Sequence, residues 1–240
     1  MEKRQERYRG KAKTVYATDD PQRLVMHYRD DVSAFDGAKL AKLDGKGETN
    51  NRINAFVMDK LAAAGIRTHF VGMLNERESL VRAMKMIPVE CVVRNICAGS
   101  MAKRYGLEEG LRLPEPIFEF FLKSDALHDP LVNDDHIRVL QWATSGEIAQ
   151  MKALTHRVNA VLKPLFAGAG IHLVDYKLEF GHPLDEPGSE LVLGDEFTPD
   201  GCRLWDVRSG EKLDKDRFRR DLGDVVEHYR QVGRRIGVTL

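Results

Sequence analysis

Ile171-His172-Leu173-Val174-Asp175-Tyr176-Lys177-Leu178-Glu179-Phe180 is the segment around which the rest of the chain can be arranged. Successive side chains of a strand point to opposite faces. Asp175, Lys177 and Glu179 therefore share one face, and Tyr176, Leu178 and Phe180 share the other. An apolar back holding up a row of charges is the pattern of a strand with one face in a core and the other toward a site. A second strand is expected over 190–194, reached through the polar loop 182–189.

Toward the C-terminus, a helix is expected from about 215 to 236, capped by Asp214, with Phe218, Leu222, Val225, Val226, Tyr229 and Ile236 turned inward. Upstream, Thr144-Ser145-Gly146-Glu147 reads as a capping box. Ile148, Met151, Leu154, Val158, Leu162 and Leu165 follow as one apolar stripe, read as core. The first third is β-rich. Strands are expected over 10–18 and 24–29 around the turn Asp19-Asp20-Pro21, with further apolar and β-branched runs at 66–74 and 79–93. Between them Ile53, Phe56, Val57, Lys60 and Leu61 recur at helical spacing, and Gly65 stands where a C-terminal cap belongs. Interleaved helices and strands imply an α+β or layered α/β domain.

The 240 residues, 42% apolar and 31% charged, suffice for one large domain or two small lobes. Lysine plus arginine and aspartate plus glutamate both count 37, so no net field draws the chain to nucleic acid or to an anionic membrane. Charged ligands must be met by local clusters. Cys91, Cys97 and Cys202 lack metal-ligand spacing and read as reduced thiols. Residues 1–9 are charged, and no run nears the roughly 18 apolar residues of a membrane span. These features imply a cytoplasmic protein.

Several clusters carry possible chemistry. In Tyr8-Arg9-Gly10-Lys11-Ala12-Lys13-Thr14-Val15-Tyr16 the two lysines fall on one strand face after a glycine, a placement suited to a polyphosphate or to a solvated edge strand. The segment matches neither a Walker A loop nor a dinucleotide turn. Val32-Ser33-Ala34-Phe35-Asp36-Gly37 is a turn presenting an acid. Arg94-Asn95-Ile96-Cys97-Ala98-Gly99-Ser100, after a strand over 89–93, suits a phosphate monoester, because guanidinium pairs bidentately with phosphate oxygens. Equally, Ser100 can cap a helix and Arg94 can form an ordinary ion pair. Lys123, Asp125, His128 and Asp129 crowd a loop before Pro130. Four acids and Arg203 follow the strand at 190–194, where Asp195 and Glu179 can share a Mg²⁺ that also binds substrate phosphates.

Taken in order, G-K-A-K-T-V-Y, S-A-F-D-G, P-V-E-C-V-V-R-N with A-G-S, L-K-S-D-A-L-H-D-P, D-Y-K-L-E-F-G and G-D-E-F-T-P-D-G-C-R-L-W-D resemble the SAICAR synthetase family from about Tyr8 to the C-terminus. The resemblance implies an α+β fold with a β-rich N-terminal lobe (1–87), an α/β C-terminal lobe (88–240) and ATP between them, reminiscent of protein kinases. It implies a ligase that joins the carboxylate of 5-amino-4-carboxyimidazole ribonucleotide (CAIR) to the amine of L-aspartate, with ATP going to ADP and phosphate. On that likeness Lys11, Lys13 and Lys123 approach the phosphates, and Ala12, Val15 and Met86 sandwich adenine. Glu179 and Asp195 bind Mg²⁺. Arg94, Ser100 and Arg203 hold the substrate 5′-phosphate, while Asp175, Lys177 and Asp200 lie near its ribose, imidazole or carboxylate. Lys123, Lys177 and Asp36 are the implied catalytic residues, Asp36 near the aspartate site, and a homodimer is the implied assembly. The loop 182–189 is longer than the family pattern, and Cys97 and Cys202 stand inside otherwise matching motifs.

Overall fold

The computed structural model describes residues 1–35 and 37–240; Asp36 lies outside the described residues. The elements in chain order are β1 (Lys3–Arg9), β2 (Lys13–Thr18), β3 (Arg23–Tyr28), β4 (Asp31–Ala34), β5 (Lys39–Lys42), α1 (Lys46–Ala63), β6 (Phe70–Asn75), β7 (Glu78–Arg82), β8 (Met84–Ile96), α2 (Gly99–Tyr105), β9 (Arg112–Leu122), β10 (Leu131–Val132), α3 (Asp134–Val139), α4 (Ser145–Gly168), β11 (Ile171–Pro183), β12 (Val192–Gly194), β13 (Cys202–Asp206), α5 (Asp216–Arg219) and α6 (Val225–Ile236). They build an α+β fold with two main sheets. The first runs β1-β2-β3-β7-β6 and the second β10-β9-β8-β11-β12, with β13 also on β11; β4 and β5 form a separate pair. All these pairings are antiparallel.

The second sheet follows the alternation of its central strands. Asp175 lies opposite Arg94, Lys177 opposite Val92 and Glu179 opposite Glu90. Between them Tyr176, Leu178 and Phe180 turn to the other face with Cys91 and Val93, and all five are buried. There they meet the stripe of α4, of which Ile148, Met151, Val158 and Leu162 are buried in the same cluster. Each such side chain removed from water contributes about 1.5–3 kcal/mol. The capping box of α4 is present: Thr144 Oγ1 accepts from the Glu147 amide at 3.2 Å, and Glu147 Oε2 accepts from the Thr144 amide at 2.6 Å.

Three expectations need correction, and two features were not foreseen. The helix expected over 215–236 is two helices, α5 and α6, because Asp221, Gly223 and Asp224 take left-handed backbone conformations between them. Leu222, expected inward, is 45% exposed in that break. Asp214 does support the start of α5, accepting from the Asp216 amide at 2.7 Å, and also ties it to β13 through the Leu204 amide at 2.7 Å. The run 79–93 is divided at Ala83, where the chain leaves the first sheet for the second. Helix α1 starts at Lys46, well before its apolar stripe, since its opening turns bury polar side chains, Lys46, Thr49, Asn50 and Asn51. Strand β1, exposed along its whole length, was not anticipated; five of its seven side chains are charged and it shows no apolar alternation to read.

Candidate active site

A cavity of about 590 Å³ opens where the first sheet faces the charged row of the second. One end is apolar. Ala12, Val15 and Met86 line it, joined by Leu24, Met26, Val81 and Met84. The alternation of Leu24 and Met26 along β3 was the available signal for these additions. Lys11 also reaches the cavity, but not on the strand face of Lys13. It precedes β2, in the bend after Gly10, and its ammonium lies 2.8 Å from Asp125.

The other end is a lattice of lysines and carboxylates. In the β11–β12 pair Glu179 lies opposite Gly194, which puts Asp195 at the mouth of the same hairpin. Asp195 forms an ion pair with Lys13, whose ammonium is 3.4 Å from Glu196. Lys123 donates to Glu179 at 2.5 Å, and Lys177 is paired with Glu90 and lies 3.5 Å from the second oxygen of Glu179. Burial by itself raises the Glu179 pKa, but Lys177, Lys123 and Lys13 outweigh it and hold the carboxyl at about 2. Burial lowers the pKa of Lys13, against the pull of Glu196 and Glu179. The pKa of Lys177 is raised because Glu90 and Glu179 overcome its desolvation. Glu90 was not singled out in the sequence.

Asp200 stands at the floor of the cavity. Lys46, wholly buried, donates to it at 2.5 Å, Asn50 at 2.9 Å and the Tyr229 hydroxyl at 2.8 Å. Burial raises the Asp200 pKa and Lys46 and Lys215 lower it, leaving it at about 2. Lys215 lines the same cavity, and its ammonium makes no hydrogen bond or ion pair among the described residues. Desolvation brings it down to about 8. These partners of Asp200 come from α1, α6 and the start of α5, distant in sequence, and no motif linked them. His69 also reaches the cavity; burial, with Lys13 adding, takes it to about 3.

Arg94, Ser100, Asp175 and Arg203 form a neighbouring cluster rather than cavity wall. Strand β8 continues through Ile96, past its expected end at Val93, so Arg94 is a strand residue. It is 3% exposed and donates to Glu119 at 2.5 Å, Asp175 at 3.0 Å and Ser100 Oγ at 3.1 Å. Arg203 donates to the same Asp175 oxygen at 2.9 Å and to Asp216 at 3.0 Å. Ser100 does not cap α2, whose preceding residue is Ala98. Gly99, at φ +56°, leaves room for the Arg203 guanidinium, which a Cβ there would meet at 2.4 Å. The row Asp175, Lys177, Glu179 thus leads from two arginines to the lysine lattice.

An apolar slot that ends in three lysines suits a base followed by phosphates. Two guanidiniums and a hydroxyl suit a second, anionic ligand. Among the described residues no group of three or more His, Cys, Asp and Glu side chains is placed to hold a metal by itself. Glu179 and Asp195 nevertheless fit Mg²⁺, which is commonly held by one or two carboxylates together with substrate phosphates. No helix among the described residues is long and apolar enough to cross a membrane.

The sequence pattern of SAICAR synthetase matches residues 6–236. The chain belongs to the SAICAR synthetase family. It is 62% identical over 240 residues to the phosphoribosylaminoimidazole-succinocarboxamide synthase of Idiomarina loihiensis, covering 100% of both chains. The crystal structure of the corresponding synthase from Ehrlichia chaffeensis, 43% identical, superposes with a TM-score of 0.96 over 98% of this chain and 100% of that one. A SAICAR synthetase in complex with ADP, also 43% identical, gives 0.91 over 96% and 97%. As a member of this family the chain is a carbon–nitrogen ligase of purine biosynthesis, as its ordered motifs led us to expect.

Proposed function

We propose that the chain condenses CAIR with L-aspartate at the expense of ATP, through an acyl phosphate. The observation that supports this reading best is the convergence of Lys13, Lys123 and Lys177 on Glu179 and Asp195 at the end of an apolar slot. The base of ATP enters between Ala12, Val15 and Met86, and its phosphates lie toward Lys11, Lys13 and Lys123. Lobes 1–87 and 88–240 contribute the two sides.

A carboxylate resists amines because its carbonyl is electron-rich and its leaving group would be oxide. A CAIR carboxylate oxygen attacks the γ-phosphorus, the bond to the β,γ-bridging oxygen breaks, and ADP leaves. The amine of aspartate then adds to the activated carbonyl, gives up a proton, and phosphate departs with one former carboxylate oxygen. The lysines offset charge on the transferred group, and Arg94, Ser100 and Arg203 fix the ribonucleotide so that its carboxylate lies in line. Asp175, Lys177 and Asp200 position its ring and carboxylate. Lys215, unpaired, takes an anionic group of the substrates, and Asp36 belongs to the aspartate site. Glu179 and Asp195 would hold Mg²⁺, which supplies neutralising charge at the phosphates.

The enzyme works in the cytoplasm as a homodimer. Its test is ADP release with CAIR, aspartate and ATP each omitted in turn, together with CAIR carrying ¹⁸O in the carboxylate. One labelled oxygen is expected in the phosphate released from the complete mixture; unlabelled phosphate would sink the acyl-phosphate route. Sedimentation velocity checks the assembly.

A further inference from the structure

Two arginines share one carboxylate beside the proposed anion site. Glu119 lies on β9 opposite Val92, as Lys177 does on β11, so its side chain belongs to the charged face of the second sheet. The side chain is 6% exposed, and both of its oxygens are taken. Oε2 accepts from Arg94 Nε at 2.5 Å, and Oε1 accepts from Arg104 NH2. Arg104 comes from α2, four residues after Ser100 and therefore on the same helix face. Its guanidinium carbon lies 5.2 Å from the ring centroid of Tyr105 and 5.6 Å from that of Phe121, which shares the face of β9 with Glu119. Two rings at that distance hold the cation in place. Neither Arg104 nor Glu119 has a task in the proposed reaction.

Nε and NH2 form one edge of a guanidinium, and a carboxylate with both oxygens free grips such an edge bidentately. In Arg94 that edge is split. Nε goes to Glu119 and NH2 to Ser100 Oγ at 3.1 Å, while NH1 goes to Asp175 at 3.0 Å. We infer that Arg104 is a positioning residue for the ribonucleotide phosphate: by holding Oε1 of Glu119 it denies Arg94 a bidentate carboxylate, and so keeps the Arg94 NH2 turned to Ser100 and the ligand. The inference rests on the reading of Arg94, Ser100 and Arg203 as the phosphate site. Among the described residues Oε1 has no partner but Arg104. A buried carboxylate oxygen left alone is costly, so with Arg104 gone it turns to the guanidinium already at hand. The Arg94 NH2 is then drawn from Ser100 into an ion pair within the protein.

Calorimetric titration of the full-length protein with CAIR, and with ADP as control, tests the inference. Arg104→Met should weaken CAIR binding about tenfold and leave ADP binding unchanged. Arg104→Met/Glu119→Gln separates the possible causes. A glutamine has one acceptor oxygen and cannot take both Arg94 nitrogens, so the second substitution should recover most of the CAIR affinity that the first removed. Glu119→Gln alone should not tighten CAIR binding, because with Arg104 in place the bidentate pair never forms. A double variant no better than Arg104→Met overturns the inference, leaving Arg104 a direct contact or a structural one. Equal tightening by Glu119→Gln with and without Arg104 overturns it too, since net charge would then suffice. Should the double variant not fold, Arg104→Lys decides, because an ammonium can still hold Oε1. It should bind CAIR within about threefold of wild type, and affinity as poor as that of Arg104→Met refutes the inference. Failure of wild type to bind CAIR at all would instead overturn the phosphate-site reading.

Discussion

The ammonium of Lys123, just past the end of β9, lies 2.5 Å from Glu179 on β11, a carboxylate that also faces Lys177. Lys123 itself is 41% exposed, while Glu179 is nearly buried. A half-exposed cation thereby rests on a buried anion, within the cavity proposed to take the phosphates.

Lys123→Met should leave the fold intact, because Lys177 and Lys13 still offset the buried Glu179 carboxylate. We expect kcat to fall by about 10² to 10³, the usual cost of one lost charge-stabilising donor, with the KM for CAIR nearly unchanged. Steady-state kinetics with each substrate varied checks this; an unaltered kcat would remove Lys123 from the phosphoryl path.

Asp200 and Lys46 should dominate stability. Asp200→Asn leaves the wholly buried Lys46 without a counter-charge and should cost about 3–5 kcal/mol, read from the urea midpoint. The sign with pH follows from a folded pKa of about 2 against an ordinary 3.8. The stabilisation is fully present above about pH 4 and is lost as pH falls through 2. Wild-type stability should drop more steeply across that window than that of Lys46→Met/Asp200→Asn. Parallel acid limbs would contradict the pairing.

Arg203 and Gly99 should act as one device. Arg203→Lys loses planar, bidentate recognition and should raise the KM for CAIR about tenfold, with ATP affinity kept. Gly99→Ala places a Cβ at 2.4 Å from the same guanidinium, on a backbone at φ +56°, and should reproduce the phenotype without touching the arginine. Normal CAIR saturation in Gly99→Ala would show that the guanidinium need not sit there.

Lys215 should give the alkaline limb of substrate binding. With a folded pKa of about 8 it loses its charge above that pH, so affinity for an anionic substrate should weaken between pH 8 and 9. Lys215→Met should flatten this dependence. The fold disfavours the charged form, and its cost is present in full below pH 8 and relieved as pH rises toward 10.5. The same variant should therefore melt higher than wild type at pH 7, a loss of binding accompanied by a gain in stability. Differential scanning calorimetry and competition binding across pH check both halves.

The legible parts of this chain were those whose pattern is local. The period of two in β11 assigned Asp175, Lys177 and Glu179 to one face, and the capping box with its apolar stripe marked α4. Strand β1 carries charge on both faces, so its pairing with β2 left no trace in hydropathy. The break before α6 was signalled by Asp221 and Gly223, but the apolar residues on both sides kept helical spacing and masked it. Lys46 and Asp200 are far apart in the chain and meet only through tertiary packing, which periodicity does not report. For the same reason only the resemblance placed Lys13 toward phosphates, where the residues alone admitted a solvated edge strand, and its ion pair with Asp195 was not foreseen.

The order of the strands has a consequence for how the chain is born. All five strands of the first sheet lie within Lys3–Arg9 to Glu78–Arg82 and can pair as soon as that stretch has left the ribosome. Strand β8 then emerges and finds β9, yet its other edge waits for β11, and Arg203 on β13 comes later still. A nascent chain therefore owns much of its slot for the base, and Arg94 with it, well before it owns Arg203. While unfinished it exposes one edge of β8, whose residues Cys91 and Val93 belong in the core, and this is the stage at which a chaperone would find most to hold.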